Sequence, residues 1–252
     1  MFVPKWYWFA ISLFITLTIA VLYLLSTPPI YTRTAAILVK DNSKSSSSTG
    51  AMSDFSDLGI FKSNTNINNE LLTLKSPTLM TEVVNRLGLN ETFTIRKGLK
   101  NVDLYKVSPV TITFCDKIEV PLSFTIKFSS KEAFAISELE ISGEDIGETL
   151  SAQMGDSIQT SAGIMIVSPT QEFTDAFIGT SIRYVRGSVR AAVDTYSNAL
   201  VAELGNEDAT IINLSINDTS IRKAEDILNT LIEVYNENWI RDKNQIAVST
   251  SQ

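Results

Sequence analysis

Two charged stretches hold the side chains best suited to bind a ligand or a partner. The first, "RYVRGSVR", places Arg183, Arg186 and Arg190 close together at helical or strand-exit spacing. Guanidinium groups bind carboxylates and phosphates through paired hydrogen bonds. These arginines are therefore candidates for contact with an anionic glycan or with an acidic face of a neighbouring subunit. The alternative is a solvated surface, on which exposed ion pairs contribute little to stability.

The second stretch, "ELEISGEDIGE", is acidic. Its five acids are Glu138, Glu140, Glu144, Asp145 and Glu148. A metal site needs converging oxygen ligands, and this spacing fits no EF-hand loop, so we predict a solvated charged loop. Any two acids of a chain can meet in a fold as the carboxylate pair of a glycoside hydrolase, but nothing in the sequence singles out a pair.

The residue types that are missing exclude much chemistry. The chain has no histidine and one cysteine, Cys115, which excludes a Ser-His-Asp triad, a Cys-His pair and an HExxH zinc site. No glycine lies in a phosphate-binding motif. The sequence therefore predicts no catalytic residue, no metal and no cofactor. Cys115 lies among strand-like residues and is predicted to be a small buried hydrophobe.

The charge balance of the 252-residue chain argues against nucleic acid as a partner. It has 28 acidic and 21 basic residues, and every acid lies at or after Asp41. Nucleic-acid phosphates require basic patches, which an acidic soluble part does not favour.

A charge-free apolar run extends from Trp6 to Leu25. Twenty helical residues span about 30 Å, the thickness of one hydrocarbon core, and aromatic rings at both ends suit the headgroup level. A cleaved signal peptide is the alternative, but its apolar part is usually shorter and is followed by small residues, whereas leucines and prolines follow here. We predict a lipid-embedded anchor, represented by Trp6, Trp8, Leu13, Leu17, Tyr23 and Leu25.

Positive charge predicts the orientation of this anchor. Lys5 is the only charged side chain before Arg33, so residues 1–5 are expected to form a cytoplasmic stub and the acidic part to lie outside. Pro28 and Pro29 end the helix and stiffen its exit.

The remainder alternates between helical and strand patterns. Residues 30–41 read as a strand, residues 42–59 as a serine-rich loop, and residues 66–90 as two helices separated by a kink, with Ser76 as N-cap and Gly88 as C-cap. Val110–Phe114 and Leu122–Phe128 alternate and suggest a hairpin or adjacent strands.

Further strands and helices are predicted towards the C-terminus. The strands are expected within residues 132–142, 157–168, 181–185, 200–204 and 209–218, and a helix within 188–199. From Ser220 one stripe of Ala224, Leu228, Leu231, Tyr235 and Trp239 predicts a long helix. It has no stop signal, so we expect it to leave the globule and the chain to be a fragment.

Several stretches together resemble a known family. "NNELLTLKSPTLMTEVV", "AEDILNTLIEVYNENWI" and the anchor followed by "PPIYTRTAAILV" are similar to Wzz-type chain-length determinants, or polysaccharide co-polymerases, and in particular to the N-terminal half of Wzc-like bacterial tyrosine kinases of Bacteroidota-like bacteria. The resemblance implies an inner-membrane protein with a cytoplasmic N-terminus and a periplasmic main domain. It also implies a homo-oligomer, with a polysaccharide polymerase or an outer-membrane export channel as partner and a glycan as a further candidate.

The predicted fold class is α+β: an N-terminal transmembrane helix (6–25), a periplasmic mixed α/β domain (26–219), and the start of a long protruding helix (220–252). The first functional hypothesis is an oligomeric scaffold that controls chain length and export of a capsular polysaccharide, exopolysaccharide or O-antigen. The resemblance implies a kinase domain in the whole protein, but no kinase residue lies in this chain. A ligand-binding domain of a membrane receptor is the second hypothesis, and a hydrolase with two carboxylates is the third.

Overall fold

Helices and strands alternate along the chain and build two separate compact units. The computed structural model describes residues 5–39, 62–115, 120–205 and 211–250, so the serine-rich stretch predicted as a loop lies outside the described residues. One unit comprises Met1–Ile30 and Thr92–Val185, and the other comprises Tyr31–Glu91 and Arg186–Gln252. Helix and strand occur in nearly equal shares, 38% and 37%, which confirms the predicted α+β class.

The described helices are α1 (Trp6–Ser26), α2 (Lys62–Leu74), α3 (Pro77–Leu87), α4 (Val189–Ala199) and α5 (Ile221–Thr250). The described strands are β1 (Tyr31–Leu38), β2 (Glu91–Lys97), β3 (Lys100–Asp103), β4 (Val110–Phe114), β5 (Leu122–Phe128), β6 (Ala133–Ile141), β7 (Glu144–Asp145), β8 (Leu150–Gln153), β9 (Ser157–Thr160), β10 (Gly163–Pro169), β11 (Ser181–Arg186), β12 (Leu200–Leu204) and β13 (Ile211–Asp218).

The unit formed by Tyr31–Glu91 and Arg186–Gln252, here called the helix–sheet unit, has a three-stranded antiparallel sheet in the order β1-β13-β12. Its central strand alternates: Ile212, Leu214 and Ile216 are buried while their neighbours face outward. Helix α5 packs on β1 and β13, and α3 packs on α4 and α5. The buried side chains on one face of the sheet therefore pack against the apolar face of a helix, as in a two-layer fold.

The two ends of α3 are set by Ser76 with Pro77 and by Gly88, and the sequence predicts both caps. Ser76 Oγ accepts a hydrogen bond from the Thr78 amide at 3.3 Å, and Pro77 is the first residue of α3. Gly88 ends the helix with a φ of 62°, a left-handed conformation that glycine adopts without strain. These caps fix where α3 starts and ends, because they satisfy backbone groups at its ends that have no partner within the helix.

Helix α5 confirms most of the predicted stripe. Ala224, Leu228, Leu231 and Tyr235 are buried. The prediction was wrong for Trp239, which is 42% exposed. At 3.6 residues per turn, Trp239 lies about 60° around the helix from Ala224, towards the edge of the buried face.

Residues Thr92–Val185 of the other unit are here called the sandwich unit. They pack a sheet of order β4-β10-β9 against a seven-stranded sheet of order β3-β2-β11-β5-β6-β7, in which β8 also pairs with β6. Buried side chains from both sheets form one core. Tyr184 lies in that core and is fully buried, and its ring centroid is 4.9 Å from that of Phe93 and 5.0 Å from that of Phe124.

One predicted strand pairing is wrong. Val110–Phe114 and Leu122–Phe128 are both strands, but they belong to different sheets: β4 pairs with β10, and β5 pairs with β6. Alternation along a strand indicates which residues face the core, and it carries no information about the partner strand.

In this unit one further prediction is wrong, and three strands were not predicted. Cys115 is exposed rather than buried, because it follows the last residue of β4 and no longer points into the sandwich core. Strands β2, β3 and β8 have no counterpart in the sequence predictions. Each is rich in polar residues, so its alternation is weak.

Candidate functional site: the apolar helix and the charged surfaces

Helix α1 is exposed along its whole length. The side chains predicted to anchor it, namely Trp6, Trp8, Leu13, Leu17, Tyr23 and Leu25, are between 51% and 70% exposed, and no residue of the helix is buried. It is the only helix among the described residues that is long and apolar enough to cross a membrane. An unpacked helix of this composition is unfavourable in water and favourable in lipid.

Three hydroxyl groups of α1 donate hydrogen bonds within the helix. Thr16 Oγ1 donates to the Ser12 carbonyl at 2.7 Å, Thr18 Oγ1 to the Phe14 carbonyl at 2.8 Å, and Ser26 Oγ to a carbonyl at 2.9 Å. An unsatisfied polar group in hydrocarbon costs several kcal/mol. These hydrogen bonds therefore make Thr16, Thr18 and Ser26 compatible with a lipid environment.

Arg183 lies in a cross-strand polar cluster of the sandwich unit. Its Nη2 donates to Glu140 Oε2 at 3.0 Å and to Ser123 Oγ at 3.1 Å, and the Ser123 hydroxyl donates to the same carboxylate at 2.7 Å. Arg183 and Glu140 are 44% and 39% exposed. The arginine therefore already has an anionic partner, although both groups remain open to solvent.

The other two predicted arginines lie in the helix–sheet unit. Arg186 Nη1 is 3.7 Å from Glu91 Oε1, while Arg190 is exposed in the first turn of α4. Arg183 and Arg186 are three positions apart on β11, so their side chains point to opposite faces of the strand. A shared role of the three in glycan or subunit contact stays a prediction.

The acidic stretch is a strand hairpin rather than the predicted loop. Glu138 and Glu140 belong to β6, and Glu144 and Asp145 form β7; only Glu148 lies between strands. The register shifts opposite Ser123 and Thr125, and Glu138 there has a φ of 54°. This bulge lets Thr125 donate to Glu138 at 2.7 Å while Ser123 donates to Glu140.

Two polar links that sequence reasoning missed join α5 to the helix pair. Arg86 of α3 donates from Nη1 to Glu237 Oε1 at 3.0 Å, makes a second contact with the same carboxylate through Nη2, and also binds Glu82. The Tyr235 hydroxyl donates to Glu70 Oε2 of α2 at 2.7 Å. The partners in both links are over 150 residues apart in sequence, so no local pattern predicts them. Only the contact between Arg86 and Glu82 could be predicted, because residues four positions apart lie on the same face of a helix.

These links shift the ionisation of both groups on α5. Burial, together with the hydrogen bond to Glu70, raises the pKa of Tyr235 above its ordinary value. The hydrogen bond from Arg86 lowers the pKa of Glu237, and the pKa of Arg86 is raised in turn. The pair is therefore fully charged at neutral pH.

Acid should weaken the Arg86–Glu237 link. Because the pKa of Glu237 is lower in the folded state, its contribution is complete above the unfolded-state pKa, about 4.3, and is lost as the pH falls through the folded-state value. The measurement is the urea concentration at the midpoint of unfolding, plotted against pH. We expect Glu237→Gln to make this midpoint fall less steeply at acid pH. Arg86→Met should have the same effect, and a wild-type slope in both variants would show that the two groups are not coupled.

Comparison with protein families gives a match over part of the chain. Residues 1–87 match the family described as "Wzz: Chain length determinant protein". These residues are here called the Wzz segment after this match. This confirms the Wzz resemblance inferred from the sequence, whereas the Wzc-like kinase relationship stays a prediction.

The Wzz segment coincides with structural boundaries. It includes α1, β1, α2 and α3, and it ends at Leu87, the last residue of α3. The helix pair linked to α5 through Glu70 and Arg86 therefore belongs to the Wzz segment. The match supports a role in chain-length determination during polysaccharide biosynthesis.

The other comparisons add little. No curated protein matches the chain. Two crystal structures of Xanthomonas campestris FlgL, in space groups C2 and H3, are 14% identical to it, with TM-scores of 0.17 and 0.18. The matches cover 65% and 60% of this chain and span only 58% and 51% of the FlgL chains.

Proposed function

We propose that the chain is the membrane-anchored part of a polysaccharide co-polymerase that controls chain length and export of a capsular polysaccharide, an exopolysaccharide or an O-antigen. The observation that carries this proposal is the Wzz match over residues 1–87, which includes the exposed apolar helix and the α2–α3 pair. Chain-length control requires the protein to act beside a membrane-embedded polymerase, and α1 supplies the means to stay there.

In this proposal α1 crosses the bacterial inner membrane with the N-terminus in the cytoplasm. The single cation that precedes the helix, Lys5, supports this orientation. The helix–sheet unit and residues Thr92–Val185 then lie in the periplasm, and copies of the chain form a homo-oligomeric scaffold around the polymerase or the export channel. The hydrogen bonds from α5 to Glu70 and Arg86 support the view that α2, α3 and α5 form a rigid part of the scaffold in each copy.

The test is a deletion of the gene followed by electrophoresis of the surface polysaccharide. We expect the deletion to abolish the preferred chain length, and the full-length gene to restore it. A matched variant, Leu72→Ala, changes an exposed leucine of α2 and should restore it as well. Unchanged polysaccharide length and amount in the deletion strain would overturn the proposed function.

A further inference from the structure

The β2–β3 hairpin combines positive charge with exposed apolar surface. Arg96, Lys97 and Lys100 surround its turn, and Leu99 at the tip is 51% exposed. Strand β3 is the edge of the seven-stranded sheet. The chain as a whole is acidic, with a formal net charge of −7. The residues Arg96–Val102, here called the basic hairpin, are therefore a local exception to the charge of the protein.

The turn of the basic hairpin brings two like charges together. Lys97 lies directly opposite Lys100, and only Gly98 and Leu99 separate them, with Gly98 at a φ of 63°. Like charges at directly opposed positions destabilise a strand pair. No acidic side chain in the described parts of the chain pairs with either lysine, and Arg96 donates Nε only to the Gly98 carbonyl, at 3.3 Å. An external anion at this site would remove the repulsion.

The tip also exposes apolar surface, which does not stabilise the folded chain because it is not buried. Turn positions favour Gly, Asn, Asp and Ser, yet Leu99 occupies one of them. Val102, opposite the buried Ile95, is 37% exposed. Lysines on an edge strand are a known protection against aggregation, which explains the charges but not the leucine. Cations beside an apolar tip fit the boundary of a bilayer, where headgroups are anionic and the acyl region begins a few ångströms below.

The opposite edge of the same sheet has the opposite charge. Strand β7 consists of Glu144 and Asp145, and Glu148 follows it. An anionic surface would therefore attract one edge of the sheet and repel the other. This polarity selects a single way for the sandwich unit to approach such a surface.

We propose that the basic hairpin is a second membrane contact: Lys97, Lys100 and Arg96 bind anionic phospholipid headgroups of the bilayer that α1 crosses, and Leu99 enters the interface. The proposal rests on the membrane anchor of the proposed function. The anchor keeps the hairpin within reach of lipid at high effective concentration, so a weak site of three cations and one leucine suffices.

The test uses the full chain in nanodiscs, with one copy per disc. Cys115→Ser removes the native thiol, and Asn101→Cys carries an environment-sensitive fluorophore two residues from an intact Leu99. Lipids with a nitroxide near the headgroup quench a fluorophore that touches the bilayer. We expect quenching in discs with phosphatidylglycerol and much less in discs of phosphatidylcholine alone. A fluorophore on Ser151→Cys, an exposed position on β8, should stay unquenched in both.

Two variants separate lipid binding from a structural role. Lys97→Gln with Lys100→Gln should lower the docking equilibrium about 30-fold, yet leave the thermal midpoint in detergent equal or higher because the repulsion is gone. Leu99→Ser should also reduce quenching, whereas Lys97→Arg with Lys100→Arg should preserve it.

Three results would overturn the proposal. One is no quenching at position 101 in phosphatidylglycerol discs, and another is quenching that these variants leave unchanged. The third is a fluorescence change that occurs only when several copies share a disc, which would assign the basic edge to the acidic edge of a second copy. A chain that fails to enter discs would overturn the anchor itself, a readout separate from polysaccharide length.

Discussion

Leu17→Arg should release the protein from the membrane and, under the proposed function, abolish control of polysaccharide length. Leu17 lies near the middle of α1 and is 57% exposed, with no protein neighbour to shield a charge. Exchanging leucine for arginine at the centre of a spanning helix costs about 3 to 4 kcal/mol, enough to lower insertion several hundredfold. The measurement is the share of protein that stays in membranes after carbonate extraction.

Two variants control this experiment. Leu17→Val keeps the position apolar and should remain in the membrane fraction. Leu72→Arg adds the same charge at an exposed leucine of α2 and should also remain there. Full retention of Leu17→Arg would mean that α1 does not span the bilayer, and the proposed anchor would have to be abandoned.

Lys223→Met should destabilise the helix–sheet unit by about 3 kcal/mol or more. Lys223 Nζ lies 3.5 Å from Asp218 Oδ2, and both side chains are only 10% exposed. Removal of the ammonium leaves a largely buried carboxylate whose desolvation is only partly compensated. The Asp218 carboxylate keeps its hydrogen bond from the Ser220 amide, at 2.7 Å. We therefore expect a loss of stability near the lower end of the range of about 3 to 5 kcal/mol that is typical of a broken buried ion pair.

The measurement is urea unfolding in detergent, followed by far-UV circular dichroism. Asp218→Asn combined with Lys223→Met removes both charges and should recover much of the loss. A second ion pair between α5 and the sheet, Arg33–Glu225 at 3.1 Å, is 42% and 49% exposed. Its variant Arg33→Met should cost less than about 1 kcal/mol. Equal losses for the buried and exposed pairs would contradict the role assigned to burial.

Local signals predicted the helices well and the strand partners poorly. Ser76, Pro77 and Gly88 act through hydrogen bonds and backbone angles within a few residues, so the sequence contains the information needed to place α3. Strand pairing depends on contacts between distant segments. Thus β4 could not be matched to β10, over 50 residues away, from its alternation alone.

The charged surfaces show the same limit. A cluster of arginines in sequence suggested one surface, but Arg183 and Arg186 point to opposite faces of β11 and bind separate carboxylates. The basic hairpin escaped notice because β2 and β3 are polar and short, and their meaning depends on the edge position in the sheet. Charge and exposure become informative only once the fold fixes which residues lie at an edge.

The bond from the Gly187 amide to the Asn90 carbonyl, 2.8 Å long, has a consequence for how such a chain can change over time. The chain leaves the helix–sheet unit just after Asn90 and returns just before Gly187, so the sandwich unit is an insert whose two junctions lie side by side in the host. A guest module with adjacent ends can be shortened, enlarged or exchanged while the host keeps its own sheet and helices. Chains that share the anchor and the Wzz segment are therefore free to differ in the sandwich unit.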